Sequence, residues 1–410
     1  MFTALRKAEY TELAILFFIQ GAAMSIWFVP IGSILDTHGL AHIKPLAFGA
    51  SAIAYFVSPL IFGAMADRHV PPAKVLRTLA TATAVLMAVA STAIRDHLNP
   101  WLILGLIQIF WLFYAPMFSI SSAIVLARLK DAKSEFGPIR AMATLGWMGG
   151  CLLVSWINAD NSSRAGYVGA GAWLLVALFT YFLPETQMPP SAENLKWHER
   201  LGLDALTLLK NRDHRVIFLI TTMLSIPIAA FYPYAPTNMR DVGLTHTSAW
   251  MSLAQCSEMV AMFSLGWLLA HWRLKWIFAC GLAFGVLRFG LSAVGGEAWL
   301  LAGVALHGAC YTLVYITAQI YLDQRVDPGW RTRAQALLSL TNSGLGNLVG
   351  YLGTGWFFRT CTGSSGTHWT LFWGGMSAIA LGVLVYFLRA YQGVVTPKTI
   401  GFNIRADREV

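Results

Sequence analysis

Ser252-Leu-Ala-Gln255-Cys-Ser-Glu258-Met259 lies inside an apolar run that extends from about Thr247 to Ala270. Glu258 sits about a dozen residues from either end of that run. At a helical rise of about 1.5 Å per residue, its carboxyl falls near the middle of a bilayer. An ionised carboxylate is costly there, and is kept only if it is paired, protonated or turned toward a polar cavity. Gln255, three residues earlier, occupies the same helical face one turn away. A carboxyl beside an amide at that depth can hold a proton and hydrogen-bond a polar solute. The other reading is a structural pair with Arg288, equally deep in the next apolar run.

The rest of the chain is built on the same plan. Its 410 residues are 56% apolar and only 12% charged, a balance that no soluble domain of this length shows. Runs of about 20 apolar residues, each long enough to span as a helix, recur throughout. They fall at approximately 10–35, 45–66, 75–94, 100–128, 140–158, 165–183, 215–238, 247–270, 275–294, 298–322, 334–358 and 368–390. Backbone groups in lipid must be satisfied within the segment, so these runs read as helices and not as strands. The expectation is an all-α polytopic membrane protein with twelve transmembrane helices.

A net charge of +9 invites a nucleic-acid reading, but the placement of the charges excludes it. With the N-terminus inside, the outer segments hold only Lys44, Arg95, Arg164, Arg240 and Arg359, and Arg288 lies within the membrane. All the other Lys and Arg residues fall on inner segments, which predicts that both termini are cytoplasmic. The basic excess is topology. The five cysteines show no metal or redox spacing and read as small packing residues. The first apolar run is a full span without a small-residue cleavage site, so it is expected to remain in the protein.

Along the chain, the first span carries Gln20, whose depth makes it either interhelical glue or part of a cavity wall. The second ends in Gly63-Ala-Met-Ala-Asp67-Arg68-His69, with Lys74 and Arg77 following. An acid and several bases in a short turn can cap the next helix and pair with a neighbouring helix end. Gly63, Asp67 and Arg68 resemble the signature loop of the major facilitator superfamily, which implies a gating role for Asp67 and Arg68. The chain's organisation agrees: six spans (1–183), a polar linker (184–214), six more spans (215–392) and a tail (393–410) match a fold of two six-helix bundles. Within the linker, Leu201, Leu203, Leu206 and Leu209 are spaced for one face of a surface-lying helix.

The fourth span holds Pro116, which can kink it and free a carbonyl for Ser or water. In the fifth, Gly146 and Gly150 permit close helix contact, and Arg140, Thr144 and Trp147 share a face. Pro138-Ile-Arg140-x-x-x-Thr144-x-Gly146 resembles the fifth-span motif of the nucleoside:proton symporters. Leu201-Gly-Leu-Asp204-Ala-Leu, Gln255-x-x-Glu258 and Val286-Leu-Arg288-Phe289 agree with the same family. The resemblance implies that Arg140, Thr144, Trp147, Gln255 and Glu258 line a nucleoside site, together with Gln20. Trp147 would stack a base, while Thr, Gln and Glu would hydrogen-bond ribose hydroxyls.

Two spans depart from that pattern. The seventh, Ile226-Pro227-Ile-Ala-Ala-Phe231-Tyr232-Pro233-Tyr234, lacks an expected amide pair, so Tyr232 and Tyr234 could offer hydroxyls from a broken helix. The tenth, His307-Gly-Ala-Cys-Tyr311-Thr312, has Thr312 where those symporters carry an acid. His307 can pack, hydrogen-bond or relay protons, and Asn342 and Asn347 read as interhelical glue.

No ATP-binding lysine motif, metal cluster or nucleophile arrangement appears, so no cofactor and no enzymatic activity are expected. The expectation is a monomeric transporter of the bacterial inner membrane, importing nucleosides with protons by alternating access at a site between the bundles. Tyr311 and Thr312 join the substrate-binding candidates, and Glu258, Arg288 and His307 are the coupling candidates. Another small polar solute, a sugar or a cell-wall fragment, is the alternative substrate.

Overall fold

Asn99 and Asn211 show how polar punctuation becomes a helix start in this chain. In the computed structural model, which describes residues 10–66, 71–130, 132–183, 198, 201–327 and 330–393, each uses its side-chain oxygen as a cap. Asn99 accepts from the Trp101 N–H at 2.9 Å, and Asn211 accepts from Asp213 and His214 at 2.9 and 3.2 Å. Such caps satisfy donors that would otherwise lack a partner at a helix start. Pro100 follows at a position whose missing N–H costs nothing.

Apart from two short 3₁₀ helices, Ala41–Ile43 and Leu203–Lys210, twelve apolar helical segments run in order among the described residues. They are α1 (Thr11–Thr37), α2 (Lys44–Ala66), α3 (Pro72–Arg95), α4 (Pro100–Leu126), α5 (Ala132–Trp156) and α6 (Arg164–Phe179), then α7 (Arg212–Asp241), α8 (Thr247–His271), α9 (Leu274–Val294), α10 (Glu297–Arg325), α11 (331–361) and α12 (Trp369–Ala390). Eight of them are long and apolar enough to cross a membrane, and α6 is a shorter apolar helix. Each of the twelve apolar runs in the sequence coincides with one of these helices. The protein is an all-α polytopic membrane protein with the twelve-helix, two-bundle plan. A hairpin of two-residue strands, β1 (Thr362–Gly363) and β2 (Gly366–Thr367), joins α11 to α12.

The prolines break the helices where the sequence suggests. α4 is interrupted at Ala115-Pro116, and the carbonyl of Leu112, four residues before the proline, accepts from the buried Ser58 hydroxyl of α2 at 2.8 Å. Leaving that carbonyl unmet would cost about 1–3 kcal/mol. α7 is broken at Ala229-Ala230, between Pro227 and Pro233. α10 and α11 each contain a π-helical turn, Thr312–Ile316 and Leu340–Gly346.

The contacts divide the chain into two compact units. Unit 1 comprises Met1–Leu195 together with Tyr232–Arg240 and Leu244–Ser252, and unit 2 comprises Lys196–Phe231, Asp241–Gly243 and Leu253–Val410. In unit 1, α1 and α5 pack almost backbone to backbone. A Cβ on Gly146 would lie 2.8 Å from the Phe18 carbonyl carbon, and one on Gly150 would lie 2.6 Å from the Ala22 oxygen. The small residues in the fifth span therefore do what their spacing suggests.

The linker departs from expectation. Leu203–Lys210 is a 3₁₀ helix, not an amphipathic α-helix. It is pinned to α11 by Asp204 and Arg333 at 2.6 Å, and Leu206 remains about half exposed. The ion pair adds to the packing of buried Leu201 and Ala205 and to the close approach of Gly202 to the α11 backbone in holding it there.

Candidate functional site

In unit 1 the candidates gather on α1, α5 and the Tyr232 segment. Gly21, Gly146 and Gly150 bring α1 against α5, which sets Phe28 beside Trp147 with ring centroids 5.7 Å apart. Tyr232 closes the group, 4.7 Å from Phe28 and 6.2 Å from Trp147, with all three ring pairs edge-on. The indole N–H of Trp147 is buried and has no hydrogen-bond partner among the described residues. Gln20 is fully buried, and neither atom of its amide has such a partner. Arg140 lies with its guanidinium 4.8 Å from the Phe118 ring centre, a cation–π contact. Thr144 is half-buried, on the α5 face between Arg140 and Trp147. Unit 1 therefore offers an aromatic wall, buried polar groups and the Arg140 cation.

In unit 2 the candidates meet where α10 crosses two neighbours. A Cβ on Gly308 would lie 2.6 Å from the Cα of Glu258 and would overlap the Ala254 carbonyl. Only glycine lets α10 reach the α8 backbone at the acid itself. Five residues earlier, a Cβ on Gly303 would lie 2.5 Å from the Arg288 carbonyl oxygen, so α10 also seats on α9. His307 stands between these two crossings. The Arg288 guanidinium donates to its Nδ1, and Phe231 stacks on its ring at 4.1 Å and 14°. Arg288 is 2% exposed and lies between Phe231 and Phe289, 4.5 Å from each ring centre.

Glu258 itself is half-buried, and Gln255 is buried with an Oε1 that lacks a partner among the described residues. One turn beyond His307, Tyr311 lies 5.2 Å from Tyr315 by ring centroids. Thr312, at the start of the π turn, is buried, and its hydroxyl has no hydrogen-bond partner among the described residues. A π turn offsets the following helical register and recurs at functional sites. Asn342 accepts from Thr222 at 3.2 Å and thus serves as glue between α7 and α11. The gating candidates Asp67 and Arg68 lie outside the described residues.

Three groups escaped the sequence reading. Phe28 and Phe231 looked like ordinary apolar residues, although each sits next to a proline-induced break. Asp36, near the end of α1, accepts from Lys44 at 2.8 Å, Thr237 at 2.8 Å and Arg240 at 2.8 Å within unit 1. The signal for Asp36 was present: Lys44 and Arg240 were among the few bases assigned to outer segments.

Comparison with known proteins places this arrangement. The family model described as "Nucleoside H+ symporter" matches residues 8–393. The putative nucleoside transporter YegT of Escherichia coli (strain K12) is 30% identical over 356 residues, covering 83% of this chain and 82% of that protein. The xanthosine permease of the same strain is 22% identical over 406 residues, covering 95% and 97%. The crystal structure of nucleoside transporter NupG superposes with a TM-score of 0.83 at 22% identity, over 94% of this chain and 100% of that one. With a major facilitator fold and the family model matching nearly end to end, the chain belongs to the nucleoside:H+ symporter family of multi-pass membrane transporters.

Proposed function

We propose that the chain imports nucleosides, with Glu258 as the group that takes and releases the coupled proton. The observation that carries this reading is the crossing of α10 over α8 and α9, which gathers Glu258, Arg288 and His307 around Gly303 and Gly308. An acid near mid-membrane, on a helix that packs against the same α10 that carries the imidazole partner of a buried cation, can change the balance of the cluster by gaining one proton. That change favours one conformation over another, as coupling requires. Within unit 2, Gln255, Tyr311 and Thr312 supply polar groups to the substrate. Within unit 1, Trp147, Tyr232, Thr144, Arg140 and Gln20 supply an aromatic wall for the base and further polar groups.

In this reading Asp67 and Arg68 gate the transport cycle, and the residues divide functionally as 1–183, 184–214, 215–392 and 393–410. The protein works as a monomer in a bacterial inner membrane with both termini in the cytoplasm, as the distribution of Lys and Arg supports.

The test is uptake into proteoliposomes under an imposed proton gradient, with labelled nucleoside competed by unlabelled nucleosides or sugars. Competition by nucleosides alone, and loss of uptake on collapsing the gradient, are expected. Competition by sugars at similar concentration would overturn the substrate assignment.

A further inference from the structure

The turn between α8 and α9 combines exposed indole rings with basic side chains. Its sequence, Trp267-Leu-Leu-Ala-His271-Trp272-Arg273-Leu-Lys275-Trp276, places three tryptophans and three basic side chains within ten positions. Trp267, Trp272 and Trp276 are 58%, 44% and 55% exposed, so protein packing does not explain their presence. No Asp or Glu occurs from Met259 to Gly296, so the charged side chains that the turn itself contributes are all basic.

The shape matches the charge. A groove of about 610 Å³ opens at His271, Trp272 and Arg273 and runs along α9 past Trp276, Ala279 and Ala283. The two alanines, four apart, form a shallow trough, and Trp276 makes one wall. At the mouth, no side chain caps the start of α9, which begins at Leu274, and the N-terminal end of a helix attracts anions. His271 stacks on Trp267 at 4.7 Å, and its Nδ1 donates to the Trp267 carbonyl at 2.8 Å. Its Nε2 edge is thereby held in a fixed orientation. A cationic mouth with an apolar trough leading into the membrane fits a ligand with a charged head and a hydrocarbon tail.

We infer that this groove is a binding site for one anionic glycerophospholipid. The phosphate sits against Arg273, Lys275 and the start of α9, and one acyl chain lies along Trp276, Ala279 and Ala283. Indole rings favour the headgroup boundary, and basic side chains there favour anionic over zwitterionic lipid. The site belongs to the leaflet facing the turn, the cytoplasmic one in the topology proposed above. Because the turn joins the helix of Glu258 to the helix of Arg288, an occupied groove also braces those two helices.

The experiment is native mass spectrometry and thermal unfolding of the purified full chain in mild detergent. Phosphatidylglycerol, phosphatidylcholine with the same acyl chains, and inorganic phosphate are the probes. Phosphatidylglycerol is expected to saturate at one retained lipid and to raise the unfolding temperature more than phosphatidylcholine does. Arg273→Gln with Lys275→Gln should cut retained phosphatidylglycerol by roughly tenfold or more while leaving phosphatidylcholine unchanged. Ala283→Phe, which fills the trough, should reduce both lipids. Should the charge variant not fold, raising salt from about 0.1 to 0.5 M on the unmodified protein gives the same reading, because screening weakens the headgroup contact. Equal retention of the two lipids, retention of phosphatidylglycerol that neither the charge variant nor salt reduces, or its displacement by inorganic phosphate would each overturn the inference.

Discussion

Arg288 donates a guanidinium N–H to Nδ1 of His307 inside unit 2. A guanidinium can only donate, so Nδ1 is the acceptor and the imidazole proton sits on Nε2. His307 is therefore held by its neighbour in one tautomer, and it fixes the direction of the buried Arg288 side chain in the middle of α9. His307→Leu should remove this acceptor from the buried guanidinium and lower stability by about 1.5–3 kcal/mol. His307→Asn, whose side-chain oxygen can take the place of Nδ1, should recover most of that loss. Thermal unfolding of both variants, with uptake measured on the Asn form, separates an orienting role from an obligatory proton carrier. Uptake retained by His307→Asn supports the first.

Close helix crossings make a second expectation. Gly308→Ala places a methyl group against the Glu258 backbone and should cost about 1–3 kcal/mol through overpacking. Gly146→Ala should behave similarly against Phe18. Gly171, with nothing within 4 Å of its would-be Cβ, is the control. There, Ala should be neutral or stabilise by up to about 1 kcal/mol. Unfolding temperatures of the three variants check the order.

The ion cluster on Asp36 fixes the C-terminal part of α7 within unit 1. Lys44 is only 2% exposed, and Asp36→Asn removes its counter-charge. A loss of about 2–4 kcal/mol is expected, below the fully buried limit because Asp36 retains some solvent contact. With the cluster weakened, a cysteine introduced by Tyr232→Cys should react faster with a water-soluble maleimide. An unchanged rate would mean that the remaining contacts suffice to hold the segment.

The aromatic wall in unit 1 gives a prediction on substrate. Stacking on an aromatic side chain contributes about 1–3 kcal/mol per base. Trp147→Ala should therefore raise the KM for nucleoside about tenfold or more, while Trp147→Phe should retain part of the affinity. Uptake kinetics of the two variants against the unmodified chain provide the check.

The fold was legible because a bilayer constrains a chain so strongly. Every apolar run became a helix, and the breaks at Pro116 and at Pro227–Pro233 fell where a missing donor requires them. The site was legible only in part. Glu258, Gln255 and Arg288 stood out because polar groups are costly at their depth, and Trp147 through its place on the Arg140 face. Phe28 and Phe231 carry no such mark, since an aromatic residue in a span is cheap wherever it lies. The 3₁₀ form of Leu203–Lys210 depends on Arg333, far away in sequence, and leucine spacing alone cannot report that. Nor does composition reveal a π turn at Thr312, which arises from the backbone path through α10.

The central claim, that Glu258 links nucleoside movement to protons, is tested most directly by nucleoside uptake into proteoliposomes across external pH. The unmodified chain is compared with Glu258→Gln, which mimics a permanently protonated acid. The account predicts that Glu258→Gln still binds nucleoside and still exchanges it across the membrane, but no longer accumulates it in response to a proton gradient. Accumulation by Glu258→Gln with the pH dependence of the unmodified protein would contradict the account and move the coupling site elsewhere.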